Sequence, residues 1–184
     1  VKGYRLICTM PDKMSQEKIN LLRGLGAKVI VTPTAVAPDD PRHYVQTAKR
    51  IAKETAGAHY IDQFNNPDNP EAHYRTTGPE IWRDTEGKIT HFVSSMGTTG
   101  TIMGCSRFFK EQNPGIQIIG VQPEEGAQIP GIRKWQQAYL PKIYDGKNVD
   151  RLEYVSQTDA EEMTRRLARE EGIFCGISSG GALA

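Results

Sequence analysis

The chain has 184 residues, a formal net charge of +1, and acidic and basic side chains in nearly equal number. This length is enough to bury a sizeable hydrophobic core, while scattered, balanced charges argue against a nucleic-acid interface. No apolar run reaches membrane-spanning length, and the three cysteines and four histidines lack the spacing of a disulfide framework or a metal site. We therefore expect a protein of a reducing, cytoplasmic compartment that binds neither membrane nor nucleic acid.

The first third of the sequence predicts strands that alternate with helices. Apolar runs bounded by turn residues predict the strands, and apolar residues at helical spacing predict the helices. This order favours a parallel sheet with right-handed crossovers. The predicted strands are 4–9, 27–32 and 59–61, and the helices between them run from Ser15 to Gly26 and from Pro41 to Gly57.

A polar, turn-rich segment, 62–70, follows the third predicted strand. Ligands of parallel α/β sheets bind beyond the carboxyl ends of the strands, which makes this segment a candidate binding loop. Its Asn-Pro and Asp-Asn pairs also form turns for purely local reasons, so a plain connector is the alternative.

Predicted helices and strands alternate again after residue 70. Residues 123–150 show no clear periodicity, and a capping box of Thr158 and Glu161 predicts the start of the last long helix, which ends at Gly172. The other predicted elements are a helix over 72–84 broken near Gly78 and Pro79, a strand over 88–95, a helix over 101–112, a turn at 113–115, and strands over 116–121 and 151–155.

A glycine–threonine loop, 97–101, joins the predicted strand 88–95 to the helix that follows it. Gly97 and Gly100 allow close approach of the backbone, and the three threonines add hydroxyl donors. The start of a helix also presents unpaired backbone N–H groups and the positive end of its dipole. The pattern is neither the lysine-containing phosphate loop nor the dinucleotide G-x-G-x-x-G motif. It predicts an anion site, most simply for phosphate, with a plain turn as the alternative.

Two later segments carry polar residues in comparable settings. Arg133 lies in a basic and aromatic cluster, 130–135, where it could bind an anionic group or simply be solvated. Ser178 and Ser179 follow an apolar stretch and precede a short helix start, where either could act as an N-cap.

Taken together, these motifs resemble the cysteine synthase family of pyridoxal-phosphate enzymes. The resemblance is carried by the segments 63–67, 76–82, 97–101 and 171–180, and the run 123–133 is similar to the B-type, O-acetylserine sulfhydrylase B. It implies an α/β fold of the tryptophan-synthase-β type (fold type II), incomplete at both termini. Residues 1–66 would form part of the smaller N-terminal domain and residues 67–184 part of the larger C-terminal domain.

The resemblance also implies a function and its residues. The reaction would be a pyridoxal-phosphate-dependent β-replacement that makes cysteine or S-sulfocysteine from O-acetylserine and sulfide or thiosulfate, in a homodimer. Ser178 would contact the pyridine nitrogen, Gln63 the substrate carboxylate, and Arg133 an anionic substrate. The cofactor phosphate would be held by Gly97, Thr98, Thr99, Gly100 and Thr101.

The chain departs from the family in one respect that concerns catalysis. The Gly-Ser-x-Lys-Asp-Arg motif that carries the Schiff-base lysine, and the Ser-Gly-Asn-Thr-Gly substrate loop, do not occur in it. We therefore expect no catalytic residue in this chain, an origin as an internal fragment of a longer protein, and no activity of the 184 residues alone. The alternatives are a catalytically incomplete module that binds pyridoxal phosphate or another phosphate, a sulfide-using A-type synthase, and an enzyme like cystathionine β-synthase.

Overall fold

The computed structural model describes residues 2–184, and the chain divides into two compact units, Val1–Ile61 and Asp62–Ala184. Both units are α/β with parallel sheets, which confirms the predicted fold class. No helix within the described range is long and apolar enough to cross a bilayer.

The first unit contains a two-stranded parallel sheet and two helices. The elements are β1 (Ile7–Pro11), α1 (Gln16–Gly24), β2 (Lys28–Thr32) and α2 (Tyr44–Glu54). β1 pairs with β2 from Ile7 opposite Lys28 to Pro11 opposite Thr32. Gly26, at a φ of +89°, ends α1 as predicted, because glycine adopts the left-handed conformation without steric cost.

The strand predicted over 59–61 is wrong. These residues are irregular, and Ile61 is 66% exposed. A short apolar run becomes a strand only when a neighbouring strand completes its backbone hydrogen bonds, and the described sheet of this unit consists of β1 and β2.

The second unit is built on a three-stranded parallel sheet of β3 (His91–Ser95), β4 (Gln117–Pro123) and β5 (Arg151–Val155), in that order. The central strand, β4, is buried over six of its seven residues, as expected for a strand covered on both faces. Helix α5 (Gly100–Gln112) contributes Ile102 and Phe109 to the main core, where they pack with Met96 and Ile118. The elements are α3 (Asp68–Arg75), α4 (Thr77–Asp84), β3 (His91–Ser95), α5 (Gly100–Gln112), β4 (Gln117–Pro123), β5 (Arg151–Val155), α6 (Gln157–Glu170) and α7 (Ile177–Leu183).

The helix predicted over 72–84 begins earlier and breaks at a different residue. α3 already starts at Asp68, and the break falls at Thr76 rather than near Gly78 and Pro79. Pro79 lies in the first turn of α4, where the missing N–H of proline costs nothing because that position has no helical acceptor.

The predicted caps of the last two helices are also corrected. The side chain of Ser156, not that of Thr158, caps α6, because its Oγ accepts a hydrogen bond from the Asp159 N–H at 3.0 Å. The N-cap of α7 is Gly176, so Ser178 and Ser179 lie inside the first turn of that helix. Their hydroxyls are therefore placed by the helix rather than used to begin it.

Candidate functional site

The glycine–threonine loop joins β3 to α5 at the carboxyl end of the sheet. Its start is held by the Met96 N–H, which donates to the Val121 carbonyl at 2.9 Å, and Thr99 is the N-cap of α5 with a φ of 72°. Within residues 2–184, the backbone N–H groups of Gly97, Thr98 and Thr99 donate no hydrogen bond. Unpaired N–H groups at the start of a thirteen-residue helix form a favourable setting for an anion.

The hydroxyl of Thr99 has no partner although it is buried. Thr99 is 3% exposed, and its Oγ1 is the one buried side-chain polar atom without a hydrogen bond in the part of the chain that the structure describes. Leaving such a group unsatisfied costs free energy, and so does a left-handed conformation of a β-branched residue. Both costs are explained if the hydroxyl donates to a ligand in this loop.

Neighbouring groups lie close to the two glycines of the loop. A Cβ on Gly97 would lie 3.0 Å from the Gly131 carbonyl oxygen, and a Cβ on Gly100 would overlap the side-chain amide of Asn69. A side chain at position 100 would have to displace the Asn69 amide from its present position, which is a reason for glycine that needs no ligand.

Asn69 connects this loop to the preceding polar segment. Its Nδ2 donates to the Gln63 carbonyl at 2.7 Å and to Thr98 Oγ1 at 3.2 Å. The Gly100 N–H donates to the same Thr98 oxygen at 3.3 Å. Gln63 is thus placed beside the loop through its backbone.

His73 makes a second connection between α3 and the loop. Its Nε2 lies 3.1 Å from Thr101 Oγ1, and its Nδ1 lies 2.9 Å from Thr77 Oγ1. Burial lowers the pKa of His73, so the ring is neutral at pH 7 and has one donor nitrogen and one acceptor nitrogen. The imidazole therefore bridges two threonine hydroxyls without adding charge.

The cluster 130–135 packs beside the start of the loop. Trp135 Nε1 donates to the Gly97 carbonyl at 2.8 Å, and the Arg133 N–H donates to the Met96 carbonyl at 2.8 Å. The Arg133 guanidinium lies 5.2 Å from the ring centre of Phe64 and 5.4 Å from that of Trp135. The guanidinium is exposed, and within residues 2–184 it forms no ion pair, so its charge is available to an anion.

Ser178 lies in the same region as the cluster and the end of β3. The Ser95 hydroxyl donates to the Ser178 carbonyl at 2.6 Å. A Cβ built on Gly131, whose φ is +94°, would lie 3.1 Å from Ser178 Cβ. The Ser178 carbonyl is therefore held by Ser95 and its Cβ lies close to Gly131, while no hydrogen bond of its hydroxyl is found among the described residues.

The sequence pointed to all eight candidate residues, and the second unit contains them: Gln63, Gly97, Thr98, Thr99, Gly100, Thr101, Arg133 and Ser178. Sequence reasoning missed four side chains that hold these residues in place: Asn69, His73, Ser95 and Trp135. Asn69 and Trp135 lie inside segments that their composition had singled out, whereas the role of His73 depends on the packing of α3 against α5.

The residues present fit pyridoxal phosphate. Free N–H groups and the unpaired Thr99 hydroxyl suit a phosphate, which only accepts hydrogen bonds at its ionised oxygens. The Ser178 hydroxyl can donate to a ring nitrogen. No acidic side chain takes part in the hydrogen bonds described for the loop.

Comparison with known proteins shows the family to which the chain belongs. The model of the family described as "Pyridoxal-phosphate dependent enzyme" matches residues 1–184. Cysteine synthase B of Pseudomonas aeruginosa is 55% identical over the whole chain, and that of Escherichia coli is 53% identical. Cystathionine beta-synthase of Rattus norvegicus is 40% identical, also over the whole chain.

A solved structure agrees with these relatives. The cysteine synthase of Entamoeba histolytica superposes with a TM-score of 0.84 at 36% identity, and the match covers 98% of this chain and 55% of that one. The predicted fold type and the resemblance to cysteine synthases are thereby confirmed. The chain spans 60% of the length of the Pseudomonas protein, 59% of the Escherichia protein and 35% of the rat protein.

Proposed function

Because the chain belongs to the family of pyridoxal-phosphate-dependent enzymes, we propose that its protein makes cysteine or S-sulfocysteine by β-replacement on O-acetylserine, with sulfide or thiosulfate as sulfur donor. The observation that carries this proposal is the glycine–threonine loop, whose free donors lie in a chain 55% identical to a cysteine synthase B. The cystathionine beta-synthases are more distant, which favours a sulfur donor such as sulfide or thiosulfate.

We propose that the loop binds the cofactor phosphate through Gly97, Thr98, Thr99, Gly100 and Thr101. Backbone N–H groups and threonine hydroxyls would supply hydrogen-bond donors, and the start of α5 adds a favourable dipole. The phosphate is remote from the reacting atoms, so this contact provides affinity and orientation.

The Ser178 hydroxyl would donate to the pyridine nitrogen. Bound pyridoxal phosphate supplies an electron sink that lets the substrate lose the leaving group on its β-carbon. A serine donates a hydrogen bond there without the charge of an aspartate, so it limits how strongly the ring withdraws electrons. Ser95 fixes the Ser178 backbone and thereby positions this donor.

The substrate would be bound by Gln63 and Arg133. A glutamine amide donates to a carboxylate without adding a charge, whereas an arginine makes charge-assisted bonds to an anion. The Arg133 guanidinium lies beside the rings of Phe64 and Trp135, which contact each other, while its charge remains unpaired among the described residues. This residue would favour an anionic sulfur donor.

In this proposal, residues 1–66 belong to the smaller domain and residues 67–184 to the larger, cofactor-binding domain of a cytoplasmic homodimer. The catalytic lysine lies outside these residues, since the sequence lacks its motif. The 184-residue chain alone is expected to bind pyridoxal phosphate without forming product.

The test is product analysis with the whole protein supplied with pyridoxal phosphate and O-acetylserine. Cysteine formed from sulfide, or S-sulfocysteine formed from thiosulfate, supports the proposal. Cystathionine formed from homocysteine at a higher kcat/KM supports the alternative that the 40% identity to cystathionine beta-synthase suggests. If the cofactor binds but none of these products forms, the proposed reaction is wrong and the protein is a phosphate-binding module.

A further inference from the structure

Asn69 contacts both segments of the candidate site with one side chain. Its amide nitrogen donates to the Gln63 carbonyl at 2.7 Å and to Thr98 Oγ1 at 3.2 Å. A carbonyl only accepts hydrogen bonds, and an amide NH₂ has two protons. The two bonds therefore use both donors of Asn69 and fix which way its amide faces.

The bond to Thr98 determines what the threonine hydroxyl can do. Thr98 Oγ1 accepts from Asn69 and from the Gly100 N–H, so both of its lone pairs are used. No described residue accepts the hydroxyl proton. The hydroxyl can therefore only donate a hydrogen bond. The oxygens of an ionised phosphate only accept, so the two groups match.

The Asn69 side chain also lies against position 100. The Asn69 amide occupies the space that a Cβ on Gly100 would need, with Nδ2 at 2.7 Å from it. The φ of Gly100 is not in the left-handed range, so its backbone conformation alone would accept alanine.

We propose that Asn69 is a positioning residue that ties the Gln63 segment to the glycine–threonine loop and orients the Thr98 hydroxyl as a donor to bound phosphate. The inference rests on the proposed function, because it concerns how the same site receives the cofactor. Asn69 acts through Thr98 and Gln63 and needs no contact of its own with the ligand.

The first test is the affinity of the protein for pyridoxine 5′-phosphate, which cannot react with an amine, measured by titration calorimetry. Asn69→Asp removes both donors at nearly constant shape and should weaken binding roughly tenfold or more. Asn113→Asp, at the far end of α5, makes the same substitution on an exposed residue and should leave the affinity unchanged.

The second test measures the coupling between the two residues. Thr98→Val removes the hydroxyl and should weaken binding by a similar factor, whereas Thr98→Ser should keep most of the affinity. If Asn69 acts through Thr98, the double variant loses clearly less than the product of the two single losses. Independent, multiplicative losses would overturn the inference.

The third test needs no ligand. Gly100→Ala should lower the unfolding temperature, and Asn69→Ala in the same protein should restore part of it, because the overlapping amide is gone. Gly100→Ala without a loss of stability would overturn the assigned contact.

The outcomes separate the two proposals. An unsubstituted protein that does not bind pyridoxine 5′-phosphate would overturn the proposed function and this inference together. Binding that is equally tight in the unsubstituted protein and in Asn69→Asp would overturn the inference alone.

Discussion

The backbone carbonyl of Pro70, in α3, lies where a side chain on Gly104, in α5, would project. A Cβ at position 104 would overlap that oxygen and would lie 2.7 Å from His73 Cβ. The two helices can approach this closely only because the residue is glycine. This contact sets the distance from which Asn69 and His73 reach the glycine–threonine loop.

Gly104→Ala should destabilise the second unit by about 3 kcal/mol, because the backbone of α3 cannot yield as a flexible side chain would. The measurement is denaturant unfolding followed by circular dichroism. Gly24→Ala is the matched control, since nothing lies within 4 Å of a Cβ at that helical position. The control should be neutral or stabilising by up to about 1 kcal/mol. Equal effects of the two substitutions would contradict the close contact.

Thr99→Gly should change stability and ligand affinity in opposite directions. It removes a left-handed β-branched residue and a buried, unpaired hydroxyl, so the ligand-free protein should gain roughly 1 kcal/mol after the entropic cost of glycine. Pyridoxine 5′-phosphate should bind more weakly, because a donor is lost.

Glu86→Gly is the control for Thr99→Gly. Glu86 has a φ of 53° in an exposed turn, so the same backbone relief should raise stability slightly without changing ligand affinity. Thermal unfolding and calorimetry on both variants measure the two effects. A Thr99→Gly protein that loses stability would show that the hydroxyl has a partner in the ligand-free state.

Arg133→Ala should weaken the use of thiosulfate, a dianion whose oxygens accept charge-assisted hydrogen bonds, more than that of sulfide, which carries at most one charge at neutral pH. Loss of a charge-assisted bond corresponds to a rise in KM of roughly tenfold or more for thiosulfate, with a smaller effect on sulfide. Arg83→Ala, which removes an exposed arginine of α4, should alter neither KM. Steady-state kinetics of the whole enzyme measure the KM for each sulfur donor. An equal rise in KM for thiosulfate and sulfide would contradict a role of Arg133 in selecting the donor.

Asp150 links the end of α5 to β4 through its side chain. Its pKa is lowered first by the hydrogen bond from Lys110 and then by the bond from the Ile118 N–H, which is 2.7 Å long. A lowered folded-state pKa means that this carboxylate stabilises the fold above the ordinary value of 3.8. The stabilisation is lost as the pH falls through the folded-state pKa.

Asp150→Asn should therefore cost about 1 kcal/mol at neutral pH, a value reduced by the partial exposure of the pair. The difference from the unsubstituted protein should shrink as the pH falls below 3.8. Urea unfolding across a pH series measures it. Asp84→Asn removes an exposed pair with Arg83 and should stay within about 0.5 kcal/mol throughout. If the free energies of unfolding of Asp150→Asn and the unsubstituted protein differ by the same amount at every pH, the charge of Asp150 is not involved.

Cys105 should resist thiol reagents in the folded protein. It is fully buried in α5, and burial raises its pKa to about 12, so almost no thiolate is present at neutral pH. Cys175 is half-buried and should be labelled by iodoacetamide under native conditions, and Cys8, whose pKa burial also raises, should be labelled more slowly. Mass spectrometry before and after denaturation distinguishes the three. Native labelling of Cys105 at the rate of Cys175 would show that α5 opens.

The sequence predicted those features that depend on neighbouring residues in the chain. β5 agrees with its predicted bounds, and Gly26 ends α1 as expected. Features that depend on distant partners were not predictable in the same way. The run 59–61 looks like a strand, but whether it forms one is decided by pairing. The cap of α6 was misplaced because Ser156 and Thr158 are both suitable residues.

In the candidate site, too, the features set by neighbouring residues were predicted and those set by distant residues were not. The donors of residues 97–101 are evident from glycine, threonine and the helix that follows. Asn69 and His73 reach this loop from α3, and their distance from it depends on the packing at Gly104. Periodicity within one helix does not encode such a contact between two helices.

The overlap between Asn69 and position 100 also concerns protein engineering. A designer who transplants the five residues 97–101 into another parallel sheet would bring the glycine at position 100 without the amide that packs against it. The recipient would then have an empty space beside the loop and a Thr98 hydroxyl free to rotate. The smallest transferable unit is therefore the loop with the first turn of α3, and the two pieces must be moved as a pair.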